Sequence, residues 1–409
     1  MTFRLPPSAG RRPPPDLETV SASASVATRM LLLVALGQFL GMTLWFSATA
    51  AAPAMASDLA MTGAGTAWLT MAVQGGFVVG TLVSALLNLA DVFNARRLFA
   101  FGCVAGAAAN AAIPALDAPA AIVALRFATG AALACVYPPG LKIAAGWFLD
   151  RRGAALGVVV GALTIGTAFP HLLAWAAAGV PWRGLLLVSS ALALAGAAVV
   201  ALGVRDGPYV AASAPFDPHA VTAVIRNRGV RLATLGYLGH MWELYAMWAW
   251  IPAFAAAWLA AAGGAPDRTG SLVAFVAIAS GAAGCVLAGI GADSWGRARV
   301  AGLSMVVSSA CCVLSGLLFG SPLPVLMLLA VVWGFTIVSD SAQFSALVTE
   351  FSPRSHVGTA VTLQTSVGFL LTMASMRLLP EIAAAAGWQW VFLALAPGPV
   401  LGALAMRRL

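Results

Sequence analysis

The chain has 409 residues, of which 61% are hydrophobic and only 9% are charged. Because about 25% of the residues of a soluble domain are charged, this composition excludes a soluble globular protein and predicts a membrane protein. The net charge of +8 does not indicate nucleic-acid binding, since the arginines lie at predicted helix ends and not in one patch.

The chain begins with a stretch rich in Pro, Ser and Ala, residues 1–27, which predicts a disordered arm. The apolar run from Met30 exceeds the roughly 7–15 residues of a signal-peptide core and predicts an uncleaved first helix. The apolar stretches predict twelve membrane spans: 29–52, 66–90, 97–116, 119–147, 154–178, 184–203, 230–259, 270–292, 299–319, 323–349, 356–378 and 388–406. The polar stretch 204–229 is predicted to link two six-helix bundles, residues 28–203 and 230–409.

Arginine is distributed unevenly between the two sets of loops. Arginines are frequent in the N-terminal arm, the linker, the tail and alternate loops, whereas the opposite loops hold only Arg183 and Arg268. Loops rich in Lys and Arg stay in the cytoplasm. We therefore expect both termini and the linker to be cytoplasmic, in a multi-pass protein of the cell inner membrane.

The two halves of the chain repeat each other. Asp293 follows Asp91 by 202 positions, and Trp388 follows Trp182 by 206, each in a corresponding loop. A nearly constant offset indicates two homologous halves related by an axis along the membrane normal.

The loop after the eighth span reads Gly289-x-x-Ala292-Asp293-x-x-Gly296-Arg297. It resembles the cytoplasmic signature of the major facilitator superfamily. The loop after the second span is a weaker copy, with Leu87 and Asn94 in the glycine positions. We expect Asn94 to adopt the left-handed conformation that asparagine tolerates well.

Two further stretches extend the resemblance. Arg126-Phe127-x-x-Gly130 in the fourth span resembles a second superfamily motif, and 137–140 and 340–344 are similar to stretches of bacterial branches grouped with nitrate and cyanate permeases. The resemblance implies an all-α fold of twelve transmembrane helices in two pseudo-symmetric halves. It also implies a cavity lined by spans 1, 4, 7 and 10, with spans 3, 6, 9 and 12 facing lipid.

Three buried ionisable residues are candidates for proton coupling, with Glu243 expected to carry the proton, assisted by His240 and also by Asp340. His240 and Glu243, three residues apart near the middle of span 7, are predicted to share a helix face, and Asp340 in span 10 is the third candidate. A carboxyl that is alternately dried and wetted changes its affinity for a proton. The alternatives are a metal site at His240 and Glu243, a structural role for Glu243, and an ion pair between Asp340 and an arginine or lysine.

Substrate binding is predicted for polar and aromatic residues of the expected cavity. Arg126 either binds an anionic solute or balances the buried acids, and tryptophans beside acids suit an amphipathic or cationic solute. For His171 the alternative is a hydrogen-bonded core residue. The candidates are Gln38, Trp45, Arg126, His171, Tyr237, Trp250, Trp333, Gln343 and Gln364.

Gating is predicted for the charges of the two signature loops, where carboxylates can cap helices and pair with arginines. The alternative is that these charges only set topology. The residues are Asp91, Arg96, Arg97, Asp293 and Arg297.

The function expected from this pattern and resemblance is secondary active transport of a small organic solute by alternating access, coupled to protons. The alternatives are a proton-driven efflux antiporter for amphipathic or cationic compounds and a non-transporting receptor or scaffold. The sequence contains no nucleotide-binding loop, nucleophile elbow or zinc signature, so we expect no enzyme activity, cofactor or metal. The expected partners of this monomer are its solute, protons and membrane lipid, but not nucleic acid.

Overall fold

The computed structural model describes residues 17–149, 152–177, 180–209, 217–264, 268–353 and 356–409. Every regular element in these ranges is helical. Twelve helical segments of the described chain are long and apolar enough to cross a membrane. The all-α prediction with twelve spans is thereby confirmed.

Six spans form the first half and six the second, in chain order. The helices of the first half are Leu17–Met42 and Ser47–Asp58 (span 1), Gly63–Leu86 (span 2), Ala95–Ala112 (span 3), Pro119–Leu133 and Tyr137–Ala145 (span 4), Arg152–Ala176 (span 5) and Trp182–Ala198 (span 6). Those of the second half are Arg228–Ala261 (span 7), Thr269–Trp295 (span 8), Arg297–Leu317 (span 9), Leu323–Ser339 and Ser341–Phe351 (span 10), Val357–Ala386 (span 11) and, after the 3-10 helix Trp388–Leu395 that begins the span, Pro397–Met406 (span 12).

Shorter elements connect or extend the spans. A four-residue helix, Leu89–Val92, lies between spans 2 and 3, and Val221–Arg226 lies in the linker. The 3-10 turns are Ile113–Ala115, Pro218–Ala220 and Trp388–Leu395, and Val199–Gly203 is a π-turn. Span 1 begins at Leu17, inside the predicted arm, because the Ser/Ala-rich stretch after Pro15 has no proline to stop the helix. Residues 1–16 of that arm lie outside the described ranges.

Side-chain caps fix where several helices begin. Thr62 accepts a hydrogen bond from the Gly65 amide at the start of span 2, and Asn227 accepts one from Val230 at the start of span 7. Asn94 caps span 3 in an extended conformation, with φ −60° and ψ 126°. The expectation of a left-handed Asn94 is therefore wrong, because an N-cap needs extended backbone. Asn88, with φ 49°, takes the left-handed position in that loop.

Glycines allow the closest helix crossings at matching places in the two halves. Spans 2 and 4 touch at Gly76 and Gly130, where an added Cβ would clash with a backbone carbonyl of the facing helix. Spans 8 and 10 meet in the same way at Gly284 and Gly334. Between the halves, span 2 packs against span 11 and span 5 against span 8.

Three spans are interrupted inside the membrane. Span 1 is interrupted at residues 43–46, span 4 at 134–136 and span 10 at Asp340. The breaks in spans 4 and 10 occupy equivalent positions of the repeat, whereas span 7 continues through the position that matches the break in span 1. A broken membrane helix leaves backbone groups that need partners, and such breaks are tolerated only where protein or a cavity surrounds them.

Candidate functional site

The break in span 1 is held by Arg126 of span 4. The guanidinium is fully buried and donates to the carbonyls of Leu44 and Trp45 at 3.0 and 2.5 Å. It also donates to the Leu69 carbonyl at 3.1 Å and to Asn110 Oδ1 at 3.0 Å. Its hydrogen bonds thus go to neutral groups of spans 1, 2 and 3 and satisfy the carbonyls that the break exposes.

Glu243 occupies a comparable place in the second half. Its Oε1 accepts hydrogen bonds from Ser308 Oγ at 2.6 Å and Cys312 Sγ at 3.2 Å, both in span 9. Trp333 Nε1 of span 10 donates to the same oxygen at 2.5 Å. Cys312 follows Asn110 by 202 positions, so each half joins its first, third and fourth spans through a buried polar cluster at the same level.

His240 pairs with Asp340, not with Glu243. His240 Nδ1 lies 2.8 Å from Asp340 Oδ1, and both side chains are almost completely buried, with 2% and 3% exposure. His240 Nε2 lies 2.8 Å from Ser341 Oγ. Spans 7 and 10 are therefore joined at the break in span 10 by close contacts of His240 with Asp340 and Ser341. The His240–Asp340 contact is short, but it lacks the angles of a well-formed hydrogen bond.

Two expectations about these residues differ from the geometry. His240 and Glu243 were expected to act as a pair, but a spacing of three residues does not decide which neighbouring helix each side chain meets. The alternative for Asp340 was an ion pair with an arginine or lysine, yet its partner is a histidine.

Aromatic rings from both halves meet at the centre of the bundle. The ring centroids of Trp45 and Tyr245 are 5.7 Å apart with an interplanar angle of 28°. Phe77 and Phe369 are 4.8 Å apart, and Phe46 and Trp248 are 6.1 Å apart. With His171, whose ring lies 6.0 Å from Phe46, they form what we call the central aromatic cluster: Trp45, Phe46, Phe77, His171, Tyr245, Trp248 and Phe369.

The polar atoms of this cluster lack partners in the described structure. Neither the indole nitrogen of Trp45 nor that of Trp248 has a hydrogen-bond partner, and the same is true of both ring nitrogens of His171. Each of these side chains is at most 1% exposed. Because buried polar groups are normally satisfied, these three neighbouring side chains make the cluster a candidate site for binding water or a solute.

A cavity of about 400 Å³ adjoins the cluster on the side of the bundle opposite the two chain termini. Its walls come from spans 1, 2, 7, 8 and 11, so both halves contribute. Thr49 and Ala249, four residues beyond Trp45 and Tyr245, line it, and the Thr49 and Thr70 hydroxyls are 2.6 Å apart. The rings of the cluster do not line the cavity themselves; they lie next to it along spans 1 and 7.

The other predicted substrate residues are dispersed. Trp250 lines the cavity and donates to the Met376 carbonyl at 3.0 Å. Tyr237 lies beside His240, with ring centroids 6.0 Å apart, and Gln343 accepts a hydrogen bond from Arg297 at 3.3 Å. Trp333 binds Glu243, as described above. Gln38, Gln74 and Gln364 are also buried, and their side-chain amides have no hydrogen-bond partner in the described structure.

The predicted gating residues form ties within single halves or to the linker. Arg96 makes a two-pronged contact with Asp206 of the linker, Nε to Oδ1 and Nη2 to Oδ2, both at 2.9 Å. Arg297 pairs with Glu350 at 2.6 Å. Arg97 and Asp293 are exposed, and no ion pair to a described residue holds either. The Asp91 side chain lies outside the described part of the structure. The gating role stays a prediction.

The Arg96–Asp206 contact changes the acidity of the linker carboxyl. The hydrogen bond from the Arg96 guanidinium holds the pKa of Asp206 below its ordinary value of 3.8. Partial burial opposes this effect, and the amide of Asn94, which donates at 2.8 Å, adds to it. The first residues of the linker are thereby fixed to the loop between spans 2 and 3.

Sequence reasoning missed several residues that complete these clusters. Ser341 next to Asp340, Asn110, and the pair Ser308 and Cys312 carry no charge, so a search for buried charges passed over them. The offset of 202 between Asn110 and Cys312 equals that of the repeat, so it indicated that the two residues occupy equivalent positions in the two halves. The rings of Tyr245, Trp248, Phe77 and Phe369 gave no signal, because aromatic residues are common throughout membrane helices.

Comparison with known proteins identifies the class to which this architecture belongs. The sequence model of the Major Facilitator Superfamily matches residues 34–263 and 237–409. The chain belongs to this superfamily, and it is a multi-pass membrane transporter.

Among solved structures, the crystal structure of an alanine mutant of the nucleoside transporter NupG is similar to this one. The TM-score is 0.67, and the match covers 93% of this chain and 99% of that chain at 16% sequence identity. At such low identity the likeness concerns the fold alone. No curated protein sequence matches the chain.

Proposed function

We propose that the protein is a secondary active transporter that moves a small organic solute by alternating access and couples this movement to protons through His240 and Asp340. The observation that carries the proposal is the buried contact between these two side chains at the break in span 10. Ionisable residues at bilayer depth are costly, and they mark ion and proton pathways by default.

The pair has the properties that proton coupling requires. When the pair holds one proton, its total charge is zero whichever of the two side chains carries that proton. If the pair gains or loses a proton it acquires a net charge, which a dry site disfavours. Water admitted as the halves move would reverse that preference. The interruption next to Asp340 lets one helix end move relative to the other, as in the discontinuous helices of transporters.

Glu243 is the second candidate for the proton site. Its partners are a hydroxyl, a thiol and an indole from spans 9 and 10 of its own half, an arrangement that suits a fixed structural tie. In this proposal Glu243 stabilises the second half, and Asp340 carries the coupling.

Direction and membrane placement complete the proposal. With both termini cytoplasmic in the inner membrane, the cavity of about 400 Å³ would lie on the outer side of the membrane. That position suits a state that receives an external solute or releases an exported one. The similar solved structure is that of a nucleoside transporter, which adds nucleosides to the solutes worth testing.

The test is solute accumulation in proteoliposomes under an imposed pH gradient. The wild type should accumulate its solute when the gradient is imposed and stop when an ionophore collapses it. Asp340→Asn should lose gradient-driven accumulation and keep exchange of solute for solute, because exchange needs no proton cycle. Glu243→Gln should retain gradient-driven transport to the extent that it folds.

Glu381→Gln is the matched control, since Glu381 is exposed and pairs with Arg377 four residues away. It should behave as the wild type. Accumulation by Asp340→Asn with the wild-type dependence on the pH gradient would contradict the assignment. Loss of coupling in Glu243→Gln alone would transfer the role to Glu243.

A further inference from the structure

We infer that the central aromatic cluster is the substrate site and that the solute is a flat, uncharged heterocycle carrying carbonyl or ring-nitrogen acceptors. The inference rests on the proposed function, because it names the class of solute that such a transporter moves. Four observations support it: the stacking of rings across the two halves, the unpartnered donors, the placement of the buried charges, and the adjoining cavity.

Ring faces from the two halves meet directly. Trp45 stacks on Tyr245 at 5.7 Å, and the tilted rings of Phe77 and Phe369 are 4.8 Å apart. Aromatic pairs favour such offset or tilted arrangements. A flat ring that enters between the halves can replace these contacts with equivalent ones, whereas a branched aliphatic solute cannot.

The unpartnered groups define what the solute must carry. An indole nitrogen only donates hydrogen bonds, so the buried N–H groups of Trp45 and Trp248 need an acceptor. A buried donor without a partner is costly, especially at bilayer depth. A carbonyl oxygen or ring nitrogen supplies the acceptor, and neutral His171 offers one donor and one further acceptor.

The buried charges that carry described contacts are used elsewhere. Arg126 donates to backbone carbonyls and to Asn110, Glu243 accepts from its own half, and Asp340 pairs with His240. A charged solute in the cluster would therefore rely on neutral groups alone, and burial of an unpaired ion is strongly unfavourable. This favours an uncharged solute over the cationic one expected from the tryptophans and acids.

The adjoining cavity gives such a solute a route toward the cluster, which it enters by separating the rings of the two halves. Its volume of about 400 Å³ lies within the roughly 300–1,000 Å³ typical of small-molecule sites. Thr49, Thr66, Thr70 and Ser271 supply hydroxyls in a mostly apolar wall. A heterocycle with one or two polar substituents matches this combination.

Binding to the purified wild-type protein in detergent, without any pH gradient, tests the inference. The probes are radiolabelled uracil, nicotinamide and uridine as uncharged heterocycles, with tetraphenylphosphonium as a cation and benzoate as an anion. Equilibrium dialysis should show saturable binding of at least one heterocycle and none of the two ions. Binding of an ion without a heterocycle, or no binding by any heterocycle, overturns the inference.

Two variants test the role of the indole donors. Trp45→Phe and Trp248→Phe each keep a ring and remove the N–H group, so each should weaken binding of the heterocycle about tenfold. Trp390→Phe, at a position 42% exposed on the bundle surface, is the matched control and should leave the affinity unchanged. Unchanged affinity in both test variants overturns the inference.

Melting temperatures measured without ligand separate lost binding from failed folding. If one test variant does not fold, the other decides, and His171→Phe replaces the missing one. Failure of the proposed function looks different: a heterocycle that binds but is transported without regard to the pH gradient contradicts proton coupling and leaves this inference intact. Accumulation of a cation driven by the pH gradient would contradict this inference and leave proton coupling intact.

Discussion

At the scale of single residues, three glutamines stand out because their amides are buried without partners. Gln38, Gln74 and Gln364 are at most 1% exposed, and neither amide atom of any of them has a hydrogen-bond partner in the described structure. Each such group costs about 1–3 kcal/mol of stability. Proteins retain costly groups of this kind where function needs them, which keeps Gln38 and Gln364 among the predicted substrate residues.

Replacement of Gln364 by leucine tests this interpretation. Gln364→Leu removes the unsatisfied amide at nearly constant volume, so it should raise the stability by about 1–2 kcal/mol and reduce solute transport. Thermal unfolding in detergent and proteoliposome uptake measure the two effects. Gln389→Leu is the control, because Gln389 donates to the Gly316 carbonyl at 3.2 Å and should lose stability. Equal destabilisation by both variants would contradict the interpretation.

The linker carboxyl gives a pH-dependent prediction. The pKa of Asp206 in the folded protein lies below 3.8 because of Arg96. The contact therefore stabilises the fold above the unfolded pKa, and this contribution is lost as the pH falls through the folded value. Since Asp206 is 43% exposed, the contribution is at most about 1 kcal/mol.

Asp206→Asn should consequently lower the melting temperature slightly at pH 7 and leave it unchanged at a pH below the folded pKa. Glu381→Gln, in an exposed pair on one helix, is the control for general charge effects. A difference between wild type and Asp206→Asn that persists undiminished at that low pH would show that the carboxylate charge is not the cause.

At the scale of elements, the interrupted spans were the feature least predictable from the sequence. Hydropathy located all twelve spans to within several residues at most ends, because span length and composition are local properties. The break at Asp340 has no proline or glycine to announce it. Its consequence, contact of Asp340 with His240 and not with a cation, depends on where span 7 packs, which no local pattern encodes.

Arg126 illustrates the same limit. The sequence predicted a buried cation but left its role open between solute binding and charge balance. The structure places its donors on the carbonyls of the broken span 1, a requirement that arises only once the helix is broken. The substrate role stays a prediction, and the geometry favours a role in holding the break and, through it, Trp45.

A lysine at this position distinguishes the two roles. Arg126→Lys keeps the charge but not the planar fork, so carbonyls of the break lose partners, at a cost on the order of 3 kcal/mol. We expect a large loss of folded protein, seen by size-exclusion chromatography in detergent. A variant that folds normally and loses only solute affinity would support direct binding. Lys142→Arg makes the opposite replacement in the same span and controls for the effect of exchanging lysine and arginine on the amount of folded protein.

At the scale of the whole molecule, the sequence repeat predicted the pseudo-symmetry of the two halves, and the breaks in spans 4 and 10 follow it. The functional groups do not follow it. The polar cluster of the first half contains a cation, Arg126, whereas that of the second contains an anion, Glu243, and the His240–Asp340 pair lies in the second half. Proton coupling is therefore proposed for the second half, and the central aromatic cluster connects the second half to the first.

Topology is tested by cysteine labelling, and the background is low because all five native cysteines are buried and free. Tyr209→Cys, at the start of the linker, should react with an impermeant maleimide only in inverted vesicles. Asp117→Cys, in the loop after span 3, should react from outside intact cells. Labelling of position 209 from outside would reverse the orientation.

The central claim, that protons move with the solute through His240 and Asp340, is tested most directly by proton flux. Addition of the transported solute to proteoliposomes that contain a pH-sensitive dye should change the internal pH in the wild type. Asp340→Asn should move the solute with no such change. Solute movement by the wild type without proton movement, or an undiminished proton signal in Asp340→Asn, would contradict the account.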